Sequence, residues 1–188
     1  RSTGSDHRPL LFLPNHQALI DPVIIMSLLY PKYAPRPLAD AKQTAHPFFR
    51  WLMNQLRAIR IPDLSTGGQQ VKEQVVVGIE EIIEALKQGD SILLYPSGRI
   101  SRGNVELVGG NSGAATIIHA VPEARIVLVR LRGLWGSRFS RSSDKLREMR
   151  DNRLRRDVIV AFGKPLPVDT PAHELKRRIF DLSIDAWD

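Results

Sequence analysis

The chain has 188 residues, of which 43% are hydrophobic and 25% are charged, a balance that fits one globular domain, or at most two small ones. It has no cysteine, which excludes disulfides, cysteine-ligated metal sites and thiol nucleophiles. The net charge of +7 predicts an anionic partner: a nucleic acid, a phospholipid surface or a phosphorylated substrate.

Residues 1–8 form a polar start to the chain, without a methionine or an apolar signal region. We expect them to be disordered, left by processing or by cloning, ahead of a single domain over residues 9–188. The apolar runs are far shorter than the roughly 18 residues that cross a bilayer, so we predict no transmembrane helix.

Apolar patterning in the first third of the chain predicts short strands and helices in turn. In chain order we expect a strand over 10–14, a helix from Asp21 to about Leu29, an irregular Pro-rich segment over 30–37, a helix over 46–56 and a strand over 58–61. Asp21 is the expected N-cap of the first helix, with Pro22 at its first position.

The predicted helix over 46–56 is rich in large apolar side chains. Its apolar face and flank are formed by Phe48, Phe49, Trp51, Leu52, Met53 and Leu56. Because aromatic stripes usually pack in a core, we favour that interpretation. The alternatives are a wall of an acyl pocket and a patch that faces a membrane.

The rest of the chain continues the alternation of strands and helices. We expect a helix over 71–88 ended by Gly89, a strand over 91–95, a Gly-rich loop over 96–113, a helix over 114–120, strands over 126–131 and 158–162, and a helix over 172–187. The expected fold is therefore α/β, with a central, mostly parallel sheet flanked by helices.

A first motif, Asn-His-Gln-Ala-Leu-Ile-Asp over residues 15–21, follows the first predicted strand. A turn from strand to helix can fold Asp21 back onto His16, which fixes the imidazole tautomer and leaves the other ring nitrogen to take a proton. Such a pair suits activation of a substrate hydroxyl. On spacing alone, a helix-capping Asp21 and an ordinary loop histidine are the better explanation, because His and Asp within six residues are common. No partner spacing supports a metal site.

A second motif, Tyr95-Pro96-Ser97-Gly98-Arg99, leaves the next buried strand, at the edge of the sheet where α/β folds place ligands. Arg99 offers a two-pronged donor suited to phosphate, and a surface turn with a solvated arginine is the plain alternative. The motif is neither a nucleophile elbow nor a Walker loop, because the glycines and the lysine that those need are absent.

Together, the first motif, which has the pattern His-x4-Asp (HX4D), and the Pro-x-Gly-Arg loop of the second resemble the glycerolipid acyltransferase family. This family acylates lysophosphatidic acid and related lysophospholipids. His16 and Pro96 are 80 residues apart, as the family pattern requires. The loop, and the run Gly-Leu-Trp-Gly-Ser-Arg-Phe-Ser over 133–140, are most similar to the acyltransferase domain of bifunctional 2-acylglycerophosphoethanolamine acyltransferase/acyl-carrier-protein synthetases.

The resemblance implies a role for each matching residue. His16 would be the catalytic base and Asp21 its orienting partner. The substrate-binding residues would be Asn15, Arg60, Ser97, Gly98 and Arg99, with Arg57 competing with Arg60 for the second phosphate-binding position. The acyl group would come from acyl-CoA or an acyl carrier protein as co-substrate, with no other cofactor and no metal.

Two positions depart from the family pattern. Ser97 stands where the family has glutamate, and Leu128 stands where it usually has proline. The loss of a carboxylate at position 97 would leave the chain with altered or absent activity, or with a different acceptor head group. A lipid-binding homologue with impaired catalysis is therefore one alternative to an active phospholipid acyltransferase. A thioester hydrolase is the other, because a base and its carboxylate do not by themselves choose the acceptor.

The segment 138–156 has eight basic and three acidic residues and supplies most of the net charge. It is either a solvated helix face or a surface that binds an anionic membrane leaflet, and an acidic carrier protein could also dock there. No aromatic nucleic-acid motif accompanies it, so we do not expect nucleic-acid binding. A peripheral position on the cytoplasmic side of the membrane is the expected location.

Overall fold

A computed structural model describes residues 8–40, 47–62, 69–98, 100, 112–137, 139–140, 156–167, 170, 174, 177–178 and 181–182. The elements in chain order are β1 (Leu10–Pro14), α1 (Asp21–Tyr33), β2 (Arg36–Asp40), α2 (Pro47–Gln55), β3 (Ile59–Ile61), α3 (Gln69–Lys87), β4 (Ile92–Leu93), α4 (Ser112–Ala120), β5 (Arg125–Arg132), β6 (Ile159–Phe162) and β7 (Leu166–Pro167).

One sheet organises the chain, with strands in the order β3-β2-β4-β1-β5-β6. The first five strands of that order are parallel, and β6 and β7 pair antiparallel with successive parts of β5. At the centre, Leu11 of β1 is in register with Ile92 of β4 on one side and Ile126 of β5 on the other. The predicted α/β fold with a mostly parallel sheet is confirmed.

The helices divide between the two faces of the sheet. The connections through α1 and α2 step toward β3, whereas those through α3 and α4 step back toward β5, so right-handed crossovers place the two pairs on opposite faces. Two cores follow: Phe12 packs with Ile25 and Leu29 of α1, while Leu11 packs with Ile82 of α3 on the other side. β1 is therefore buried on both faces, as its unbroken apolar run predicts.

The segment over 30–37 is not irregular, and that prediction is wrong. Helix α1 continues past Pro31 to Tyr33 and ends at Ala34, which has a left-handed backbone with φ 40°. Pro37 then lies within β2. Arg36 N donates to Ser91 O on the β4 side, so the nitrogen of the next residue faces β3, where pairing begins only at Leu38. A proline is tolerated there because no ladder hydrogen bond needs its missing N–H.

Most other predicted elements are confirmed within a few residues, including α2, α3, β5 and β6. The ladder of β4 is shorter than the predicted strand over 91–95, and β7 was not predicted. The predicted loop over 96–113 and helix over 172–187 lie largely outside the described residues, as do residues 1–7 and most of 138–156. Within the described ranges, no helix is long and apolar enough to cross a membrane.

The turn that follows β5 packs closely against the segment that leads into β6. Gly133 has φ 99°, and a Cβ at this position would collide with the carbonyl oxygen of Asp157, the residue before Val158. Gly136 has φ 76° but no atom within 4 Å of its would-be Cβ. A side chain at Gly136 would therefore meet backbone strain alone, whereas one at Gly133 would meet both strain and a steric collision.

We predict that Gly133→Ala lowers the free energy of unfolding by about 3 kcal/mol or more, because collision adds to the left-handed strain. Gly136→Ala, the matched control, should cost about 1 kcal/mol from strain alone. Urea denaturation of the purified variants measures both. Equal losses at the two positions would contradict the close approach of Gly133 to Asp157.

Candidate active site at the carboxyl end of the sheet

The candidate site lies where β1 and β4, two adjacent parallel strands, end side by side. Asn15 and His16 follow β1 directly. Leu94 N donates to Phe12 O at 3.0 Å, which extends the pairing of the two strands and delivers Tyr95 beside the end of β1. The carboxyl edge of a parallel sheet is where open α/β folds bind ligands.

His16 and Asp21 are in direct contact. Nδ1 of His16 lies 3.1 Å from Oδ2 of Asp21, whose side chain is fully buried, while that of His16 is 14% exposed. A carboxylate acceptor at Nδ1 favours the tautomer with the proton on Nδ1 and the lone pair on Nε2. The arrangement therefore provides an oriented imidazole that can accept a proton.

The Asp21 carboxylate also holds the backbone of the loop. Oδ2 accepts hydrogen bonds from Gln17 N and from Ala18 N, the latter at 2.8 Å. Both donors precede α1, and Ile20 occupies the N-cap position without a side-chain hydrogen bond. The interpretation of Asp21 as the cap of α1 is wrong, because its carboxylate turns back to the loop instead of to the first turn of the helix.

The loop is braced from outside by the segment that follows β5. Leu19 N donates to Phe139 O at 2.9 Å, and Ala18 forms an antiparallel bridge with Ser140. Ser140 is itself tied back by its hydroxyl, which donates to Ser137 O. Sequence reasoning singled out this segment for its subgroup resemblance and for the basic stretch over 138–156. Neither feature indicates the pairing with residues 18 and 19.

Asn15 links β1 to β5 beyond the end of their backbone ladder. Its Nδ2 donates to Leu131 O at 2.9 Å, and its Oδ1 accepts from Leu131 N at 2.6 Å. The side chain is completely buried. The structure thus shows Asn15 as a brace for the strand end that carries His16, and a direct contact between Asn15 and a substrate stays a prediction.

The second motif meets the first at His16. The ring of Tyr95 lies against the imidazole with ring centroids 4.2 Å apart and planes inclined by 32°. Gly98 N donates to Tyr95 O at 3.0 Å and closes a tight turn in which Pro96 is buried and Ser97 half-buried. Gly98 has φ 63°, a conformation that favours glycine. Arg99 lies outside the described residues.

The two competing arginines separate clearly. Arg57 precedes β3 and donates to both carboxylate oxygens of Asp90, which precedes β4, so it is engaged at the amino ends of the strands. Arg60 is exposed in β3 and donates to Asn54 Oδ1 at 3.2 Å. Because β3 is three strands from β1, Arg60 lies roughly 14 Å across the sheet from His16. Its role in phosphate binding stays a prediction.

In the described part of the chain, the structure gathers no group of three or more His, Asp or Glu side chains suited to a metal ion. The fold and the site thus define a class: an α/β protein with a histidine–carboxylate pair at the carboxyl edge of a mostly parallel sheet. The sequence profile of the Acyltransferase family matches residues 2–132, so the chain belongs to that family.

Among solved structures, the chain is similar to the crystal structure of the 1-acyl-sn-glycerophosphate (LPA) acyltransferase PlsC from Thermotoga maritima. The TM-score is 0.64 at 16% sequence identity, over 97% of this chain and 68% of that chain. At this identity the likeness establishes a shared fold. No curated protein sequence matches the chain. The predicted acyltransferase family is confirmed, and the similarity to the bifunctional subgroup stays a prediction.

The buried amide of Asn15 generates a prediction about stability. Asn15→Ala removes two hydrogen bonds and leaves the N–H and C=O of Leu131 without the partner that now satisfies them, so the free energy of unfolding should fall by about 2–4 kcal/mol. Asn54→Ala, which removes one exposed hydrogen bond to Arg60, should change it by less than about 0.5 kcal/mol. Chemical denaturation compares them, and equal effects would contradict the bracing role.

Proposed function

We propose that the chain transfers a fatty acyl group from a thioester to the hydroxyl of a lysophospholipid. The contact between His16 Nδ1 and Asp21 Oδ2 is the observation that carries the proposal. Membership of the Acyltransferase family supports acyl transfer as the reaction class. The similar fold of an enzyme described as a 1-acyl-sn-glycerophosphate acyltransferase supports a lysophospholipid as the acceptor.

The reaction needs one base and one orienting carboxylate. With Nδ1–H donating to Asp21, His16 Nε2 takes the proton of the acceptor hydroxyl while its oxygen attacks the thioester carbonyl. A carbon–oxygen bond forms and gives a tetrahedral intermediate. Collapse of the intermediate breaks the carbon–sulfur bond, and the departing sulfur takes the proton from the imidazolium. The ester and the free thiol leave His16 in its starting state.

Asp21 contributes more than orientation. The imidazolium that forms during the reaction lies beside a carboxylate with no solvent exposure, where charges interact more strongly than in water. Two backbone N–H groups, of Gln17 and Ala18, hold that carboxylate in place before the substrate binds. The electrostatic stabilisation is therefore built into the loop and needs no rearrangement.

The acceptor phosphate would be bound beyond the turn of residues 95–98. The motif favours Arg99 as the main phosphate ligand, with Ser97 and Gly98 lining the approach and Arg60 reaching only a distant part of a substrate. The donor would be acyl-CoA or an acyl carrier protein, without a metal or another cofactor. The subgroup resemblance favours an ethanolamine head group, and Ser97, in place of glutamate, is where a different head group would be selected.

A peripheral position at the cytoplasmic face of a membrane fits the surface on the α1 and α2 side of the sheet. This side exposes large apolar side chains: Leu19, Val23, Leu28, Tyr30, Phe48 and Trp51. Exposed Phe48 and Trp51 favour the membrane-facing interpretation of α2 over the core interpretation. The net charge of +7 would add attraction to an anionic leaflet.

Removing the base tests the proposal directly. We expect His16→Ala to lower kcat/KM for acyl transfer by about 10²–10⁴-fold and Asp21→Asn by a similar or smaller factor, since both disrupt proton transfer. His119→Ala removes an exposed histidine at the end of α4 and should leave the rate unchanged. The assay follows labelled acyl groups from acyl-CoA or acyl carrier protein into lysophosphatidate, lysophosphatidylethanolamine and lysophosphatidylglycerol.

The same assay distinguishes the alternatives. Full activity of His16→Ala would refute the assignment. Thiol release without acylated lipid would indicate a thioester hydrolase, in which the base activates water. Lipid binding without turnover by the natural chain would indicate the impaired homologue that Ser97 suggests.

The proposed membrane contact predicts a loss of vesicle binding when α2 loses its exposed aromatic side chains. The double variant Phe48→Ser, Trp51→Ser should bind anionic phosphatidylglycerol vesicles about tenfold more weakly in a co-sedimentation assay. The variant removes the exposed half of each aromatic side chain, which is the part that would insert into the lipid. Val77→Ser alters an equally exposed residue of α3 on the other face and should have little effect. Unchanged binding of the double variant would exclude α2 as the contact.

A further inference from the structure

The contact between Tyr95 and His16 links the two motifs directly. The ring centroids are 4.2 Å apart and the planes are inclined by 32°, so the tyrosine lies against a face of the imidazole instead of its edge. Both residues are half-buried. Asp21 thus contacts the imidazole at a ring nitrogen, and Tyr95 contacts it at a ring face.

The backbone that carries Tyr95 is fixed on both sides. Before it, Leu94 N is bonded to Phe12 O of the central strand. After it, Pro96 is buried and Gly98 N returns to Tyr95 O at 3.0 Å. Because its backbone is fixed in this way, the Tyr95 ring has a defined position next to His16.

One hydrogen bond does not fix the orientation of an imidazole. The bond from Nδ1 to Asp21 Oδ2 sets the tautomer and anchors one corner of the ring, but this bond by itself does not determine the tilt of the ring plane. The position of Nε2, on the far side of the ring, changes with any such tilt. A second contact on the ring face removes this freedom and sets the direction in which Nε2 presents its lone pair.

We propose that Tyr95 is a positioning residue for the reaction, which orients the plane of the His16 imidazole and stabilises the imidazolium through its π face. The inference rests on the function proposed above for His16. It needs the aromatic ring of residue 95 and not its hydroxyl, so phenylalanine satisfies it and an aliphatic residue does not.

Comparison of Tyr95→Leu with Tyr95→Phe tests the proposal. Leucine keeps apolar bulk without a ring, and we expect kcat for acyl transfer to fall by about 10–100-fold with KM for both substrates within about twofold. Phenylalanine should keep kcat within about threefold. A Tyr95→Leu variant that raises KM alone would show that residue 95 binds substrate instead, and equal losses in the two variants would assign the effect to the hydroxyl.

A double variant checks that Tyr95 acts through His16. In the His16→Ala background there is no imidazole to position, so adding Tyr95→Leu should leave the residual rate unchanged. Losses that multiply would overturn the inference. Thermal unfolding of each single variant identifies a temperature at which all of them are folded. The rates of Tyr95→Leu and Tyr95→Phe are compared at that temperature.

NMR gives a readout independent of activity. The imidazole proton signals of His16, assigned by their absence in His16→Ala, should shift in Tyr95→Leu when the aromatic ring is removed, and stay close to their positions in Tyr95→Phe. Unshifted signals in Tyr95→Leu would refute the contact, whatever the function. Shifted signals together with a natural chain that transfers no acyl group would refute the proposed function and the catalytic part of this inference, while the contact stands.

Discussion

The site depends on the buried carboxylate of Asp21, whose Oδ2 accepts hydrogen bonds from residues close to it in the sequence. Asp21 Oδ2 gathers the N–H groups of Gln17, Ala18 and His16, all within five residues. A buried charge is costly unless hydrogen bonds compensate for it, so these bonds favour this conformation of the loop over conformations that lack them. One of these three bonds comes from His16, so the loop conformation that stabilises the buried carboxylate also orients the imidazole.

The neighbouring strands turn this local arrangement into a site. Asn15 continues the contact of β1 with β5, and Tyr95 arrives from β4, so the residues that flank His16 come from both sides of the central strand. The pairing of residues 18 and 19 with Ser140 and Phe139 closes the outer side of the loop. Rigid strands thus fix the imidazole from several directions, which a surface loop alone would not achieve.

Local patterns predicted what depends on local interactions. The apolar run of β1 and the stripe of α3 identified both elements. The spacing of His16 and Asp21 allowed their contact, and the family resemblance of the two motifs together favoured it. β2 escaped prediction because a proline is tolerated wherever the ladder leaves a nitrogen unused, and only the pairing partners determine that. The contact of Tyr95 with His16 joins segments about 80 residues apart, so it follows from strand order and not from sequence spacing.

Two arginines at the amino edge of the parallel sheet are held in ion pairs. At the amino ends of β2, β3 and β4, Arg36 and Arg57 share Asp90, and Arg36 also pairs with Glu81. These two arginines are occupied in holding chain segments together and add nothing to an anion site. At the carboxyl end of β1, by contrast, the charged group that the structure holds in place is the Asp21 carboxylate, paired with His16. The phosphate of the proposed substrate would therefore need arginines beyond the strand ends. Composition alone does not show which arginines are already held in ion pairs at the amino edge.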